Sequence, residues 1–353
     1  MSEKETKLTG KVFLNRVLAG TATGIVVGLI PNAILGELFK YLGTKMDIFI
    51  SLLQVVQGFQ YSVPIIVGVL IAMQFKLNPM QTIIVGAAAF VGSGAYVITD
   101  GAFMLVGIGD LINTMITASI AVLLVMVLGN KLGSMTILLL PIIAGAGAGA
   151  VGSFTLPYVK LITSSIGTLI NSFTELQPVL MSVLIAVSFS ILIISPISTV
   201  AIATAIGLSG LASGAANIGI CAAAASLVIG SMKVNSIGVT SSVGLGAMKM
   251  MMPNLIKYPV IGIPLAVNAA ISGIFAALFN IQGTPFSAGF GFSGLVGPIN
   301  AMKFMEGNAV GNMGIALLAF FIIPFVGAFV VDFVCTKLIK LYENEAFKFV
   351  AAK

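Results

Sequence analysis

"GTPFSAGFGFSGLVGPINAMKF", residues 283–304, is a run of 22 residues rich in Gly, Ser, Pro and Phe. It is too polar for a lipid-facing helix and too apolar for a free surface loop, so its setting decides how it is read. The 353-residue chain is 58% hydrophobic and 8% charged, where a soluble domain carries about 25% charged residues. Apolar runs near the ~20 residues that cross ~30 Å of hydrocarbon recur along the whole chain, separated by short polar breaks. Unwound backbone at membrane depth is tolerated only where protein or a water-filled cavity satisfies it. Residues 283–304 therefore predict a re-entrant element lining a cavity, with a surface loop anchored by its phenylalanines as the alternative reading.

The expected fold is an all-α polytopic membrane protein, one transmembrane domain over residues 1–353 with about ten spans. These fall at 13–30, 48–75, 80–97, 110–129, 134–156, 178–195, 197–210, 211–231, 258–281 and 313–336. The seventh, "ISTVAIATAIGLSG", is short for a crossing and reads equally as a re-entrant hairpin. The N-terminal "MSEKETKLTGKVFLNR" runs straight into the first apolar stretch without the pattern of a cleaved signal peptide. With both termini cytoplasmic, thirteen of the 17 Lys and Arg residues lie inside, Lys233 and Lys249 among them, and only Lys40, Lys45, Lys160 and Lys303 lie outside. That asymmetry follows the positive-inside rule and calls for an even number of crossings. The net charge of +6 is then topology information; bases scattered over span ends do not make a nucleic-acid surface.

Two connecting stretches, "NAILGELFKYLGTKMDIF" and "YVKLITSSIGTLINSF", are amphipathic near helical spacing and predict helices lying in the interface plane. Each follows a Gly-rich span that ends near a proline, Pro31 or Pro157. "NPMQT" (78–82) is echoed by "SPIST" (195–199), so the chain hints at an internal repeat about 120 residues apart, with chance similarity as the alternative. Most of the 40 glycines read as points of close helix approach.

The chain has no histidine, and its two cysteines, Cys221 and Cys335, fall inside apolar runs. This removes His-based catalysis and His metal ligands, and no cysteine spacing suggests zinc. No catalytic residue, cofactor or metal is expected. The polar residues that remain cluster in two segments, 231–254 and 282–312, predicted to approach each other and line one cavity. From these come the candidate substrate-binding groups Asn235, Gln282, Thr284, Ser287, Ser293, Asn300 and Asn308. Phe290, with Phe286 and Phe292, would offer an aromatic face or merely anchor the loop. An acid held at membrane depth is costly and therefore a functional candidate. Glu306 in "KFMEGN" is the first choice, with an ion pair to Lys303 as its alternative, and Asp100 in "TDG" is the second, with a turn as its alternative. Asp110 reads as the acid that opens the next span, and Asp332 as a structural group near the end of the last one.

At "IQGTPFSAGFGFSGLVGPINAM" and "NPMQTIIVGAAAFVGSGAYVI" the chain resembles the membrane-embedded IIC component of the bacterial phosphotransferase system, and more narrowly a stand-alone branch that includes the perfringolysin regulator-like proteins. The resemblance covers nearly the whole chain. It implies a sugar-type permease of the plasma membrane, a homodimer working by alternating access, whose substrate a separate IIB protein, supplied by IIA, phosphorylates on arrival. The histidine and the G-I-T-E-like glutamate motif expected of glucose-type members are missing here, and no IIA or IIB domain is expected on the chain. Two alternatives follow: a transporter that works without phosphorylation, and a membrane sensor signalling through the tail "KLIKLYENEAFKFVAAK".

Overall fold

The computed structural model describes residues 8–129 and 131–349. In chain order the helices are α1 (Gly10–Gly43), α2 (Ile48–Tyr61), α3 (Val63–Gln74) and α4 (Pro79–Ser93), then a two-stranded antiparallel ribbon of β1 (Tyr96–Thr99) and β2 (Ala102–Leu105). There follow α5 (Leu111–Leu128), α6 (Thr136–Leu140), α7 (Gly147–Ser172), α8 (Pro178–Leu192), α9 (Thr199–Ala205), α10 (Gly210–Ser231) and α11 (Ile237–Gly244). The last are α12 (Met252–Lys257), α13 (Gly262–Leu278), α14 (Val296–Met302), α15 (Ala309–Leu317) and α16 (Ile323–Phe333). Helix starts are set by local chemistry. Asn78 and Gln81 form a reciprocal capping box behind Pro79, and Asp110, Ser198, Ser236 and Asn308 each accept from a backbone N–H in the first turn.

Six helices among the described residues are long and apolar enough to cross a bilayer, or seven if α2 and α3, bent by 42°, are one span. α4 and α8 are shorter apolar helices. The stretch expected as a seventh span contains only the 7-residue α9, about 10 Å long at 1.5 Å per residue. That is a third of the hydrocarbon thickness, so α9 has the dimensions of one arm of a hairpin. The amphipathic stretches are not separate helices. α1 continues through Pro31 to Gly43, and α7 through Pro157 to Ser172, inside an apolar run of 43 residues that begins at Gly133. A proline inside a helix removes one hydrogen bond and bends the axis; here helix continues on both sides of it. All-α holds apart from the ribbon, whose turn residues Asp100 (φ +51°) and Gly101 (φ +77°) occupy the left-handed region that a tight hairpin requires.

The described residues as far as Val27, with Tyr61–Leu156, form one compact unit; Gly28–Gln60 and Pro157–Phe349 form a second. In the first unit glycines bring helices to backbone contact: a Cβ on Gly20 would sit 2.5 Å from the Cα of Ile71, and one on Gly68 2.7 Å from the Cβ of Ala89. Its polar centre is the fully buried Asn113 of α5. The Asn113 amide donates to the carbonyls of Gly92 and Gly152, and its oxygen accepts from the Thr155 hydroxyl at 2.8 Å, which ties α4, α5 and α7 together.

In the second unit α10 is the central element, buried from Ala212 to Leu227 without a break. Its sequence "GLASGAANIGICAAAASLVIGS" is nearly all small residues, so α8, α13 and α16 approach it closely. Asn268 of α13 donates at 3.0 Å to Ala222 O, Ser226 Oγ and Pro324 O, joining three of these helices.

Candidate functional site

After Leu278, α13 gives way to irregular backbone that becomes regular again only at a short 3-10 turn and α14. Pro285 and glycines at 283, 289, 291 and 294 make a continuous helix unfavourable there. A buried irregular segment must account for its backbone polar groups, and here neighbouring helices supply the partners. Gly283 exchanges two backbone hydrogen bonds with Gly210, at 2.9 and 3.0 Å. Ser213 Oγ donates to Thr284 O (2.9 Å), and one turn further along α10 the Asn217 side-chain oxygen accepts from the N–H groups of Phe290 (3.3 Å) and Gly291 (2.9 Å). Thr199, at the start of α9, donates to Gly289 O at 2.9 Å. Phe292 is the apolar anchor: its ring stacks on Phe321 at 5.1 Å and on Phe325 at 6.4 Å.

Residues 231–254 reach this segment. A Cβ on Gly246 would lie 2.8 Å from Ser293 Oγ, so the two polar clusters meet, and each is broken helix, as expected. Three residues beyond Gly246 stands Lys249, only 7% exposed. Its ammonium donates to Ser195 O and, at 2.8 Å, to Ile197 O, the turn that leads into α9. Burial pushes it down to about 7. Three interrupted segments, 195–199, 246–249 and 289–293, thus come together. A separate cavity of about 310 Å³ lies at the opposite end of α9, lined by Asn171, Thr174, Met181 and the 206–212 turn.

The candidate residues divide by what they touch. Thr284 and Ser287 satisfy one another's backbone across a turn, Asn308 caps α15 at 2.6 Å, and Asn300 donates back to Val296 O. Phe290 is half-buried, while Phe286 is 80% exposed. Among the described residues the side chains of Gln282 and Ser293 have no hydrogen-bond partner, and Ser293 is buried. Glu306 is exposed in the connector between α14 and α15 and makes no ion pair with Lys303. Asp100 is exposed at the tip of the ribbon in the other unit, where it serves the turn. Asp110 caps α5 (2.8 Å to Asn113 N), and both cysteines are free buried thiols.

Asn235 has a different task. It donates to Ser231 Oγ (2.9 Å) and Phe347 O (2.7 Å) and accepts from Phe349 N (2.8 Å), while Asn254 donates to Ala346 O and Lys348 O. Phe347 is 1% exposed, against Gly230. Lys233, counted above among the cytoplasmic bases, is ion-paired with the buried Asp332. The Tyr342 hydroxyl donates to the same carboxylate, and burial beside that charge pushes the phenol up, which keeps it a donor. The C-terminal stretch read as a tail is therefore docked as far as Phe349. Asn235→Ala removes three hydrogen bonds worth about 1 kcal/mol each; it is expected to release this stretch, read as faster tryptic cleavage after Lys348 with the rest of the chain intact.

Sequence reasoning missed Ser213, Asn217, Thr199 and Lys249. The first two were findable, because a polar pair at i and i+4 in a helix of Gly and Ala marks one face. Lys249 was read as a cytoplasmic base, and only its neighbours Met248 and Met250–Met252, all buried, argued otherwise.

A family model described as "Phosphotransferase system, EIIC" matches residues 15–349. Neither the curated proteins nor the solved structures searched contain a match. On the strength of a match that spans nearly the whole chain, together with its apolar helices, this multi-pass membrane protein belongs to the phosphotransferase system EIIC family.

Proposed function

We propose that the chain carries a sugar or similar small polar solute across the bacterial plasma membrane by alternating access, as a homodimer with both termini in the cytoplasm, its two units serving as one permease domain. Separate IIA and IIB proteins would phosphorylate the solute as it arrives. The observation that carries this reading is the irregular 280–293 segment, held against α9 and α10 by Thr199, Ser213 and Asn217 inside an apolar bundle. Gln282 and Ser293 offer neutral hydrogen bonds, Phe290 an apolar face, and Glu306, with no partner among the described residues, a charged acceptor for a hydroxyl. The missing histidine favours a second reading, transport without phosphorylation. Uptake by proteoliposomes that hold no phosphocarrier protein separates the two: free solute accumulating inside supports the second, and none supports the first.

The site is tested by a thermal-shift screen of the purified full chain against sugars, polyols, sugar acids and nucleosides, since a ligand stabilises the state that binds it. With a ligand in hand, Glu306→Gln is expected to weaken binding ten- to a hundredfold, because a hydrogen bond to a charged group contributes about 1.5–3 kcal/mol. Lys303→Met should change little. Equal, small effects from both would remove Glu306 from the site.

A further inference from the structure

Lys249 is the one charged side chain at the meeting of segments 195–199, 246–249 and 289–293. A lysine ammonium has three N–H donors, of which two are used, on Ser195 O and Ile197 O. No carboxylate among the described residues pairs with it; Asp332, the buried acid of this unit, is engaged by Lys233 and Tyr342. Buried charges are ordinarily paired, and two carbonyl dipoles compensate this one only in part. Ser293, whose hydroxyl has no partner among the described residues, packs on Gly246, three residues before Lys249. One unused N–H, one ammonium with no carboxylate partner among the described residues and one free hydroxyl are thus presented by adjoining backbone segments; burial pushes that ammonium down to about 7, and a bound carboxylate would hold it charged.

We propose that Lys249 makes the site selective for a solute bearing one carboxylate, so that a sugar acid or similar polyhydroxylated acid is preferred over the neutral sugar. This rests on the reading of 280–293 as the substrate-binding element and names the class of substrate. A carboxylate matches one point charge with one spare donor. A phosphate carries close to two negative charges at neutral pH, and a lone ammonium would leave half of that uncompensated. If Lys249 served only to staple the 195–199 turn, replacing it would weaken binding of acids and neutral sugars alike. A selecting role predicts a loss larger for the acids than for their neutral partners.

The test is calorimetric titration of the purified full chain with matched probes: D-glucose and D-glucuronate, D-galactose and D-galacturonate, D-mannitol and D-gluconate. In at least one pair the acid is expected to bind at least about tenfold tighter than its neutral partner, about 1.4 kcal/mol. Lys249→Met should abolish that preference, bringing the acid-to-neutral affinity ratio of each pair to about one whatever happens to the absolute affinities, and Lys249→Arg should retain it. Should Lys249→Met fail to fold, the wild-type ratio and the arginine variant decide. Neutral partners binding as tightly as the acids, or an acid preference that survives in Lys249→Met, would overturn the inference and leave the permease reading standing. Failure of every probe in all three pairs to bind would count against the permease reading itself, and the inference would fall with it.

Discussion

Gly214→Ala should all but abolish recovery of folded protein. A Cβ at this position in α10 would overlap the carbonyl oxygen and carbon of Ile281, with the N of Gln282 3.1 Å away. What it meets is backbone, and backbone held on both sides, by the Gly210–Gly283 pair and by Ser213 on Thr284 O. Relief would require α10 to withdraw from the segment, which would break those bonds together. Overpacking of a well-packed interior costs about 1–3 kcal/mol when side chains can adjust, and more when they cannot. We therefore expect a loss above about 3 kcal/mol, a large share of the ~5–15 kcal/mol that separates folded from unfolded states. Gly58→Ala in α2 is the matched control, since nothing lies within 4 Å of a Cβ there; with backbone freedom removed it should be neutral or stabilising by up to about 1 kcal/mol. Thermal unfolding and the monodisperse fraction after detergent purification measure both. Equal behaviour of the two variants would mean that α10 and residues 281–284 are not in contact.

Asn217→Leu is expected to have the next largest effect and to act on the site more than on the bundle. Leucine has the same branching and number of heavy atoms but accepts no hydrogen bond, so the N–H groups of Phe290 and Gly291 lose their partner. A buried donor left unpaired costs about 1–3 kcal/mol, so the pair together costs about 2–6 kcal/mol. The segment can avoid part of that cost by lifting away from α10, and substrate affinity would then fall more steeply than thermal stability. Asn217→Asp keeps an acceptor for both groups and should recover a substantial part of each. If leucine and aspartate behave alike in binding and in stability, Asn217 does not hold the loop.

How far the site could be read in the sequence differs from residue to residue. The segment at 283–304 was legible as broken helix because its glycines and Pro285 disfavour regular structure whatever surrounds them. That it meets residues 231–254 was legible too, since two polar segments in one apolar chain have few other partners. The tasks of individual polar residues were not legible. Ser287, Asn235 and Asn308 have the side chains of ligand-binding groups, yet each is occupied with backbone, at Thr284, at Phe347 and Phe349, and at Gly311. Asp100 illustrates the same limit in the other direction, because "TDG" fits a membrane-depth acid and a hairpin turn equally well until the strands on either side are seen to pair.

By itself the sequence determined the solvent of this protein, the approximate position of every long helix, and the two places where helix must break. These follow from quantities summed over windows of ten to twenty residues, where hydrophobicity and the conformational cost of Gly and Pro outweigh any single contact. Only the tertiary structure decided that α1 and α7 run on through their prolines, that the C-terminal stretch is docked, and that Lys249 is an interior cation. The last two depend on which donor finds which acceptor across more than fifty residues of chain, as Lys249 finds Ser195 and Ile197 and Asn235 finds Phe347. A hydrogen bond contributes only about 1 kcal/mol net when made but costs more when a buried group is left without one. The outcome is therefore settled by geometry that no local window of sequence contains.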